Sequence, residues 1–531
     1  MKKGFYSLLL CTAIGAQVNA QFSPTLDLSF DTDGIVVKDF GSHDNLQAVA
    51  VQSSDNSVVS VGTAIDNATF GGRLLVQRNL STGALDQSFN TTGYLIIEDY
   101  QESYAYDVEI LSSGKILVAG AAASSEYEFF ALVLRLNSDG TLDQTFGSNG
   151  ITLINLAPRN EFAYAMDVQT DGKIVVAGSA GDALGKDMPA VYRLNEDGSI
   201  DAGFGTNGMT AIPVPEIDND FSNVAVQSDG TIIASGHYSQ ALTSLGQQNF
   251  DVVVAKFLSN GQLDVNFGGT GLVTTPISPD LAEEAYGMIL IGGEILVCGY
   301  SLSSTYLYQY FLIRYKGNGD LVTTFGTNGI VLSELADGSV AYDMALDADG
   351  RILITGNVGT GWDDLDFFLA AFDETGSLDL TFGDQGMVRT DVMGGFDEAY
   401  GIFVQPDNAI VLAGKGANGS NNDAVVMRFT NDMATGITSA TNENQVSVYP
   451  NPVLPGNMLN LQLAKQAANH VNLDLIDSNG RSVYAAVLQK AQLSTQRIGI
   501  NLPTNLATGL YVLKVAVDNE QPTAIRLTVS Q

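Results

Sequence analysis

A segment of roughly 58 residues recurs along most of this chain, and this repeat limits the possible fold more than any other feature of the sequence. Within each period, four short runs rich in valine, isoleucine and leucine are separated by turns such as Asp171-Gly172, which typically join the strands of a hairpin. Helical periodicity is absent, so each period predicts a four-stranded antiparallel unit. A Leu-Asp-x-x-Phe-Gly-like motif marks the copies, at spacings of 59, 57, 58, 63, 58 and 57 residues between Phe30, Phe89, Phe146, Phe204, Phe267, Phe325 and Phe382.

Four strands per unit at a nearly constant repeat length are typical of the blades of a β-propeller. In the unit that spans 164–212, the runs cover 164–169, 173–178, 190–195 and 199–212. The chain begins with a segment of the fourth type, 26–40, and its last unit lacks that segment. The sequence therefore predicts an all-β fold, a seven-bladed β-propeller closed by the N-terminal strand, which leaves no open sheet edge. A solenoid of stacked coils is the alternative for the same repeat.

The repeat units resemble those of a known family, the delta-60 repeat proteins. The resemblance is carried by runs such as Asp167-Val168-Gln169-Thr170-Asp171-Gly172-Lys173-Ile174-Val175-Val176-Ala177-Gly178, followed by Arg193-Leu194-Asn195-Glu196-Asp197-Gly198, and it covers about residues 24–432. The order of turns is also similar to the NHL type of propeller blade. The resemblance implies a propeller-like fold and brings no catalytic residues with it.

After Gly436 the repeat stops and the charge changes sign. Residues 437–531 carry five acids and six bases, whereas residues 21–436 carry 54 acids and 16 bases. Such a shift indicates a domain boundary, so we assign 21–436 to the propeller and the threonine-, serine- and asparagine-rich stretch 437–445 to a linker. Alternating runs in 446–531 predict a small immunoglobulin-like β-sandwich.

Three pieces of this last domain resemble the type A C-terminal sorting domain of the type nine secretion system, found in Bacteroidetes. They are Val448-Tyr449-Pro450-Asn451-Pro452, Asp477-Ser478-Asn479-Gly480-Arg481 and Leu506-Ala507-Thr508-Gly509-Leu510-Tyr511-Val512-Leu513-Lys514. The resemblance implies that the type nine secretion machinery is a partner of this domain and carries the chain over the outer membrane. The sorting-motif residues that it implies are Tyr449, Pro450, Asn451, Pro452, Gly480, Gly509 and Tyr511.

Residues 1–20 are typical of a cleaved secretory signal peptide. Lys2 and Lys3 precede an apolar run, and Val18-Asn19-Ala20 places small residues at the −3 and −1 positions. A lipoprotein anchor at Cys11 is the alternative. No later stretch of about 18 apolar residues occurs, so we expect no transmembrane helix. The two ends together predict a protein that is secreted or displayed on the outer-membrane surface.

Charge and composition exclude several classes of function. The chain has 24 basic and 59 acidic residues, a net charge of −35 that repels nucleic acid and anionic membranes. Two cysteines and three histidines are too few for a thiolate cluster or a histidine-rich metal site. The run Asn137-x-Asp139-Gly140-x-x-Asp143 is compatible with a calcium-binding loop, since its clustered oxygens suit a hard cation. It lacks the closing glutamate of such loops, and Asx turns explain the run as well. We predict no other cofactor or metal, and a monomer.

The connections that vary in length fall on one face of the predicted propeller, and ligand sites usually lie on loops held by a rigid scaffold. These are the connections from the fourth strand to the next first strand and from the second strand to the third. Their aromatic side chains can stack on sugar rings or pack against neighbouring blades. The candidates are Tyr127, Tyr238, Tyr306, Tyr308 and the single tryptophan, Trp362.

A second aromatic set begins the first strand of five repeats: Tyr106, Tyr164, Tyr286, Tyr342 and Tyr400. Ala48 and Ser222 take this position in the other two repeats. Acids precede several of these tyrosines: Glu102, Glu161, Glu284 and Glu398. The tyrosines either ring the mouth of the central channel and bind a ligand or pack between blades. Their alternation with apolar residues of the same strand favours packing.

A basic residue recurs at one position of the third strand, at Arg78, Arg135, Arg193, Lys256, Arg314 and Arg428. In the first five of these it stands five positions before the turn glycine. We expect it to pair with the aspartate of the Leu-Asp motif and to play a structural role.

No nucleophile elbow, zinc-protease motif or phosphate-binding loop occurs in the sequence. We therefore predict a surface binding or adhesion protein whose ligand is a glycan or another surface component. The alternative is a secreted polysaccharide-degrading enzyme that uses carboxylates on the same face. An enzyme should hold one or two acids with raised pKa in a pocket, whereas a binding protein need not.

Overall fold

The computed structural model describes two compact units, Pro24–Asp432 and a second that contains Met433–Gln531. The described residues are 24–66, 71–123, 128–214, 219–242, 248–278, 281–361, 364–417, 419, 421–431, 446–449, 458–463, 470–477, 481–489, 497–503, 506, 509–517 and 523–529. All regular elements in these ranges are β-strands. Within them, no helix has the length and apolar character needed to cross a membrane. The predicted signal peptide, 1–20, and linker, 437–445, lie outside the described residues.

The first unit consists of short antiparallel strands. They are β1 (Thr25–Leu26), β2 (Ile35–Lys38), β3 (Asn45–Gln52), β4 (Ser57–Ile65), β5 (Gly72–Asn79), β6 (Tyr94–Ile96), β7 (Glu102–Ile110), β8 (Ile116–Ala123), β9 (Phe129–Leu136), β10 (Ile151–Ile154), β11 (Glu161–Val168), β12 (Ile174–Gly181), β13 (Asp187–Leu194), β14 (Met209–Ala211), β15 (Asp220–Val226), β16 (Ile232–Leu242), β17 (Gln248–Phe257), β18 (Leu272–Thr275), β19 (Glu283–Ile291), β20 (Glu294–Leu302), β21 (Tyr308–Tyr315), β22 (Ile330–Leu332), β23 (Gly338–Leu346), β24 (Ile352–Gly361), β25 (Asp364–Phe372), β26 (Met387–Thr390), β27 (Glu398–Val404), β28 (Ile410–Ala417) and β29 (Asn422–Thr430).

These strands form small sheets of the propeller type. Six sheets take four consecutive strands each, from β3–β6 to β23–β26, and in another sheet β27, β28 and β29 are joined by β1 and β2. In that sheet Ile35 lies opposite Met427 and Lys38 lies opposite Ala424. The first strand of each sheet contacts the first strand of the next, and β27 contacts β3. The first strands therefore form a ring, which is the arrangement of a β-propeller.

Apolar side chains of adjacent sheets pack against each other. Val59 and Val76 of one sheet, for example, share a buried cluster with Val118 and Leu134 of the next. The second and third strands are buried on both faces, which explains their continuous apolar runs. The motif phenylalanines are also buried: Phe30, Phe89, Phe146, Phe204, Phe267, Phe325 and Phe382.

The expected pairing of a third-strand arginine with the Leu-Asp aspartate is confirmed in four sheets, in Arg78–Asp86, Arg135–Asp143, Arg193–Asp201 and Arg428–Asp27. Each of these guanidinium groups also lies 4.5 to 4.8 Å from the ring centre of the motif phenylalanine. Arg135 additionally donates to the carbonyl oxygen of Glu196 in the next sheet at 2.6 Å. Arg314 pairs with Glu294 instead, because Val322 replaces the motif aspartate there. The arginines thus link neighbouring sheets as well as their own turns.

The second unit contains β30 (Val446–Tyr449), β31 (Met458–Leu463), β32 (His470–Asp477), β33 (Ser482–Gln489), β34 (Arg497–Asn501), β35 (Gly509–Val517) and β36 (Thr523–Val529). One sheet has the order β30-β31-β34 and the other β33-β32-β35-β36. Leu459 and Ile500 of the first sheet share one buried cluster with Leu473 and Leu513 of the second.

Candidate functional site

Every first strand of the propeller carries a β-bulge at the same place, where its register with the second strand shifts by one residue. The bulged residue is one of the five predicted tyrosines in five sheets and Ser222 in another. The sequence placed Ala48 at this position in the remaining sheet. The structure places Gln47 there, because the shift lies between Leu46 and Ala48. A bulged residue stands outside the regular ladder, so its side chain can be aimed differently from its neighbours.

The five bulge tyrosines lie around one cavity of about 550 Å³, the central cavity. Ring centres are 5.0 Å apart for Tyr106 and Tyr164, 5.2 Å for Tyr286 and Tyr342, and 4.8 Å for Tyr342 and Tyr400. Burial raises the pKa of all five hydroxyl groups above the usual tyrosine value, so they stay neutral. The rings therefore pack on one another between sheets and also line a cavity.

Two aspartates of the cavity wall brace neighbouring first strands. Asp107 accepts one hydrogen bond from the next N–H of its own strand and one from the N–H of Met166 in the following sheet, 2.7 Å each. Asp343 binds its own strand and the N–H of Ile402 in the same way. Burial raises the pKa of Asp107 to about 6 and the pKa of Asp343 to about 7. Asp167, which does not line this cavity, makes the same pair of bonds, so bracing is the role that the three share.

Two residues before the bulge, three first strands carry an acid that faces a side chain of the second strand. The cross-strand pairs are Asp220 with His237, Glu284 with Tyr300, and Glu398 with Lys415. The ammonium of Lys415 lies 2.6 Å from Glu398, and Nδ1 of His237 lies 3.4 Å from Asp220. Glu284 instead accepts the hydroxyl groups of Tyr286 and Tyr300, 2.7 Å each. Two of these acids thus face a base, and the third faces a tyrosine.

Of the four acids predicted beside the tyrosines, Glu284 lines the central cavity, whereas Glu102, Glu161 and Glu398 do not. Glu161 is fully buried and accepts the N–H groups of Leu156 and Ala157 at 3.0 to 3.1 Å, which fixes the loop before its strand. Glu102 accepts the hydroxyl of Tyr104 at 2.6 Å.

A second cavity of about 310 Å³, the side cavity, adjoins the central one because Tyr286 and Tyr342 line both. Three further tyrosines line it: Tyr300, Tyr306 and Tyr308. Tyr306 lies in the connection between β20 and β21 and is 65% exposed. Asn357 and Glu398 add polar groups, joined by a hydrogen bond of 2.7 Å. Aromatic walls with a few fixed polar groups are typical of small-ligand sites and suit sugar rings.

Not all predicted residues come together at these cavities. Tyr238 lies half-buried in β16 and packs against a core cluster, while Tyr127 and Trp362 lie outside the described residues. In the second unit Tyr511 is buried in the core, Tyr449 ends β30 and Gly509 begins β35. The other sorting-motif residues lie outside the described residues: Pro450, Asn451, Pro452 and Gly480.

The acids of the suggested calcium loop are engaged by the protein. Asp143 pairs with Arg135 at 2.6 Å and with Lys115 at 2.8 Å. Asp139 accepts the N–H of Thr141 at 3.0 Å, which is the Asx turn that the sequence offered as the other explanation.

Sequence reasoning missed Tyr300, Asn357 and Lys415, which lie on second strands opposite the residue two positions before each bulge. These residues could have been identified from the cross-strand register. The register follows from counting residues on both strands away from the turn that joins them, with one extra residue allowed for a bulge at the tyrosine.

Comparison with known proteins identifies both parts of the chain. Residues 111–146, 169–204, 227–267 and 405–432 match the family described as a domain of unknown function (DUF5122) beta-propeller, and residues 447–529 match the secretion system C-terminal sorting domain. The chain thus carries DUF5122 propeller repeats of the delta-60 type and a type IX C-terminal sorting domain, and both resemblances seen in the sequence are confirmed. The sorting domain implies export to the medium or the outer-membrane surface. A comparison with curated proteins finds no significant match.

Several solved structures are similar to the chain at low sequence identity and low TM-score. A protein of unknown function from Dyadobacter fermentans is 10% identical, with a TM-score of 0.39, and the match covers 75% of this chain and all of that one. A puromycin-hydrolyzing peptidase from Mycobacterium tuberculosis is 11% identical (TM-score 0.42, 78% and 57% covered). An α-L-arabinofuranosidase of Fusarium graminearum with arabinobiose is 12% identical (TM-score 0.37, 60% and 91% covered). These values are too low to indicate a function.

Proposed function

We propose that this exported propeller protein binds an extracellular ligand without chemical change, on the face that carries the connections between second and third strands. The observation that carries the proposal is the side cavity, where five tyrosines surround about 310 Å³ and one of them, Tyr306, projects from such a connection. We assign a glycan as the ligand, because aromatic rings stack on sugars. The 54 acids against 16 bases of residues 21–436, a net charge of −38, disfavour anionic ligands.

The proposal includes the architecture that presents this face. We assign seven blades to the propeller and the closing role to the N-terminal strand, with 1–20 as signal peptide, 21–436 as propeller, 437–445 as linker and 446–531 as an immunoglobulin-like sorting domain. The pairing of β2 with β29 and the contact of β27 with β3 support the closure. The cluster shared by the two C-terminal sheets supports the sandwich. We assign a monomeric state.

A glycan-cleaving enzyme is the second candidate, because acids with raised pKa line the central cavity. Burial raises the pKa of Asp107 and Asp220 to about 6 and that of Asp343 to about 7. The two oxygens of Asp107 and of Asp343 are each occupied by a backbone N–H. Of these three acids, Asp220, which lies beside His237, is the one that a hydrolytic mechanism could use.

Titration with a panel of neutral glycans tests the proposal. Because Tyr306 is exposed and lines the side cavity, Tyr306→Ala should weaken binding about tenfold, which corresponds to about 1.4 kcal/mol. Leu184→Ala is the control, since Leu184 is 83% exposed in the connection between β12 and β13 and does not line either cavity. An equal loss for both variants would show that the side cavity is not the site. Release of reducing ends from any glycan would instead place the protein among the enzymes.

Truncation after Gly436 tests the role of the C-terminal domain. The two units are compact in themselves, so the shortened chain should fold as a propeller and remain in the periplasm. Immunoblots of periplasm, cell surface and medium would locate it. Detection of the truncated chain at the surface would contradict sorting by residues 446–531.

A further inference from the structure

The central cavity combines tyrosine rings with acids and holds no lysine or arginine among the described residues that line it. Glu284, Asp220 and all five bulge tyrosines face this space. His237 is the basic residue of the wall, and it lies beside Asp220. The cavity is therefore suited to a positive charge and unsuited to an anion.

Another sheet of the ring, which contains β27, shows how the propeller holds an ammonium group. Glu398 and Tyr400 stand two residues apart on β27, and Lys415 reaches them from the second strand. Its Nζ lies 2.6 Å from Glu398 and 5.6 Å from the centre of the Tyr400 ring. A cation within about 6 Å of an aromatic ring is attracted by the ring quadrupole.

Glu284 and Tyr286 repeat this Glu-x-Tyr arrangement on β19, but the register position of Lys415 is taken there by Tyr300. Glu284 is partly accessible and accepts two tyrosine hydroxyl groups, and it forms no salt bridge with the described residues. The protein thus supplies the acid and the rings at this blade without supplying the cation.

We propose that the central cavity binds the ammonium group of a ligand between Glu284, Tyr286 and Tyr342. Tyr342 completes the wall, since its ring centre lies 5.2 Å from that of Tyr286. The cavity volume of about 550 Å³ leaves room for more than the ammonium group alone. Alkylammonium compounds and amino sugars both carry this chemistry. The ammonium site lies in the central cavity, whereas the proposed glycan site lies in the adjoining side cavity. The inference therefore rests on the proposed function only for the assumption that the protein binds an extracellular ligand.

Calorimetric titration of the exported full chain with choline tests the charge directly. Its neutral isostere, 3,3-dimethylbutan-1-ol, has the same shape and no charge. We expect choline to bind at least about tenfold more tightly than the isostere, since the cation–π and carboxylate attractions are lost in the alcohol. Glucosamine compared with N-acetylglucosamine forms the second arm. Preference for glucosamine over choline would identify an amino sugar as the source of the ammonium group, and the reverse would identify an alkylammonium compound.

Two variants locate the site. Glu284→Gln keeps the shape and an acceptor for a tyrosine hydroxyl, and should weaken choline binding about tenfold while leaving isostere binding unchanged. Glu374→Gln makes the same charge change at an exposed residue in the turn between β25 and β26 and should have no effect. Tyr300→Lys places a lysine in the register of Lys415, so its own ammonium should fill the site and abolish choline binding. If Glu284→Gln fails to fold, Tyr300→Lys decides.

The inference would be overturned if neither choline nor glucosamine bound more tightly than its uncharged counterpart. It would also be overturned if a folded Tyr300→Lys chain bound the preferred ammonium compound as tightly as the unchanged protein does. These failures can be told apart from failure of the proposed function. If neutral glycans bind in a Tyr306-dependent manner and choline does not bind, the proposed function stands without the ammonium site. If choline binds and no neutral glycan does, the ammonium site stands and the proposed function fails.

Discussion

The substitution Gly356→Ala is expected to lower the free energy of unfolding of the propeller by at least about 3 kcal/mol, the upper part of the usual range for overpacking. A Cβ atom at Gly356 would overlap the carbonyl oxygen of Val340 and would lie 3.1 Å from the Cα of Ala341. Both atoms belong to the backbone of β23 next to the bulge at Tyr342. Backbone held between two strands cannot move aside as a flexible side chain can, so the first strand has to be displaced.

Gly361→Ala is the matched control. Gly361 lies on the same strand, β24, and an added Cβ would meet no atom within 4 Å, so the change in stability should stay within about 0.5 kcal/mol. Urea unfolding of the two variants, followed by near-ultraviolet circular dichroism, measures the difference. Similar midpoints for both would disprove the close backbone approach at Gly356.

A glycine occupies this second-strand position, opposite the first-strand bulge, in every sheet of the propeller. In each sheet a Cβ on the corresponding second-strand glycine would overlap a carbonyl oxygen of the first strand: Gly62, Gly120, Gly178, Gly236, Gly299, Gly356 and Gly414. Only glycine lets the second strand lie this close to the bulged backbone. The repeat therefore conserves a backbone geometry that aims the bulged side chain, even where that side chain is Gln47 or Ser222.

The strands of each sheet could be predicted because their apolar runs and turn residues are local signals. The runs expected at 173–178 and 190–195 correspond to β12 (Ile174–Gly181) and β13 (Asp187–Leu194). Both observed strands extend further toward their shared loop. Gly181 pairs with Asp187 there, through backbone bonds that apolar periodicity does not record.

The candidate site could be predicted only in part, because a bulge interrupts the alternation of faces along a strand. Tyr164 and Met166 are two residues apart, so simple alternation along the strand predicts that both side chains lie on one packed face. The register shifts between Ala163 and Ala165, so the two sides of the tyrosine do not share one continuous alternation. The cross-strand partners Tyr300 and Lys415 depend on the same shift, and a sequence read strand by strand does not reveal them.

The propeller is expected to be more stable at pH 5 than at pH 8, by about 4 kcal/mol. Burial raises the pKa of Asp107 to about 6 and the pKa of Asp343 to about 7, from an ordinary value of 3.8. The folded state therefore holds more protons than the unfolded chain between about pH 4 and pH 7, and stability falls as the pH rises through this window.

Below about pH 4 the opposite effect takes over. Burial tends to raise the pKa of Asp143, but hydrogen bonds from Lys115, Thr145 and Arg135 outweigh it and hold this pKa well below its usual range. The stability that the Asp143 carboxylate provides is therefore lost on acidification. A maximum near pH 4 should thus appear in urea unfolding at fixed ionic strength. Because Asp107 and Asp343 are braced inside the ring of first strands, the loss between pH 5 and pH 8 should persist in 1 M salt, which screens repulsion between surface acids. Asp343→Asn should reduce that loss whatever it does to the stability at pH 5. A midpoint that is equal or higher at pH 8, or a difference that disappears in salt, would show that surface charge and not the buried braces controls the pH dependence.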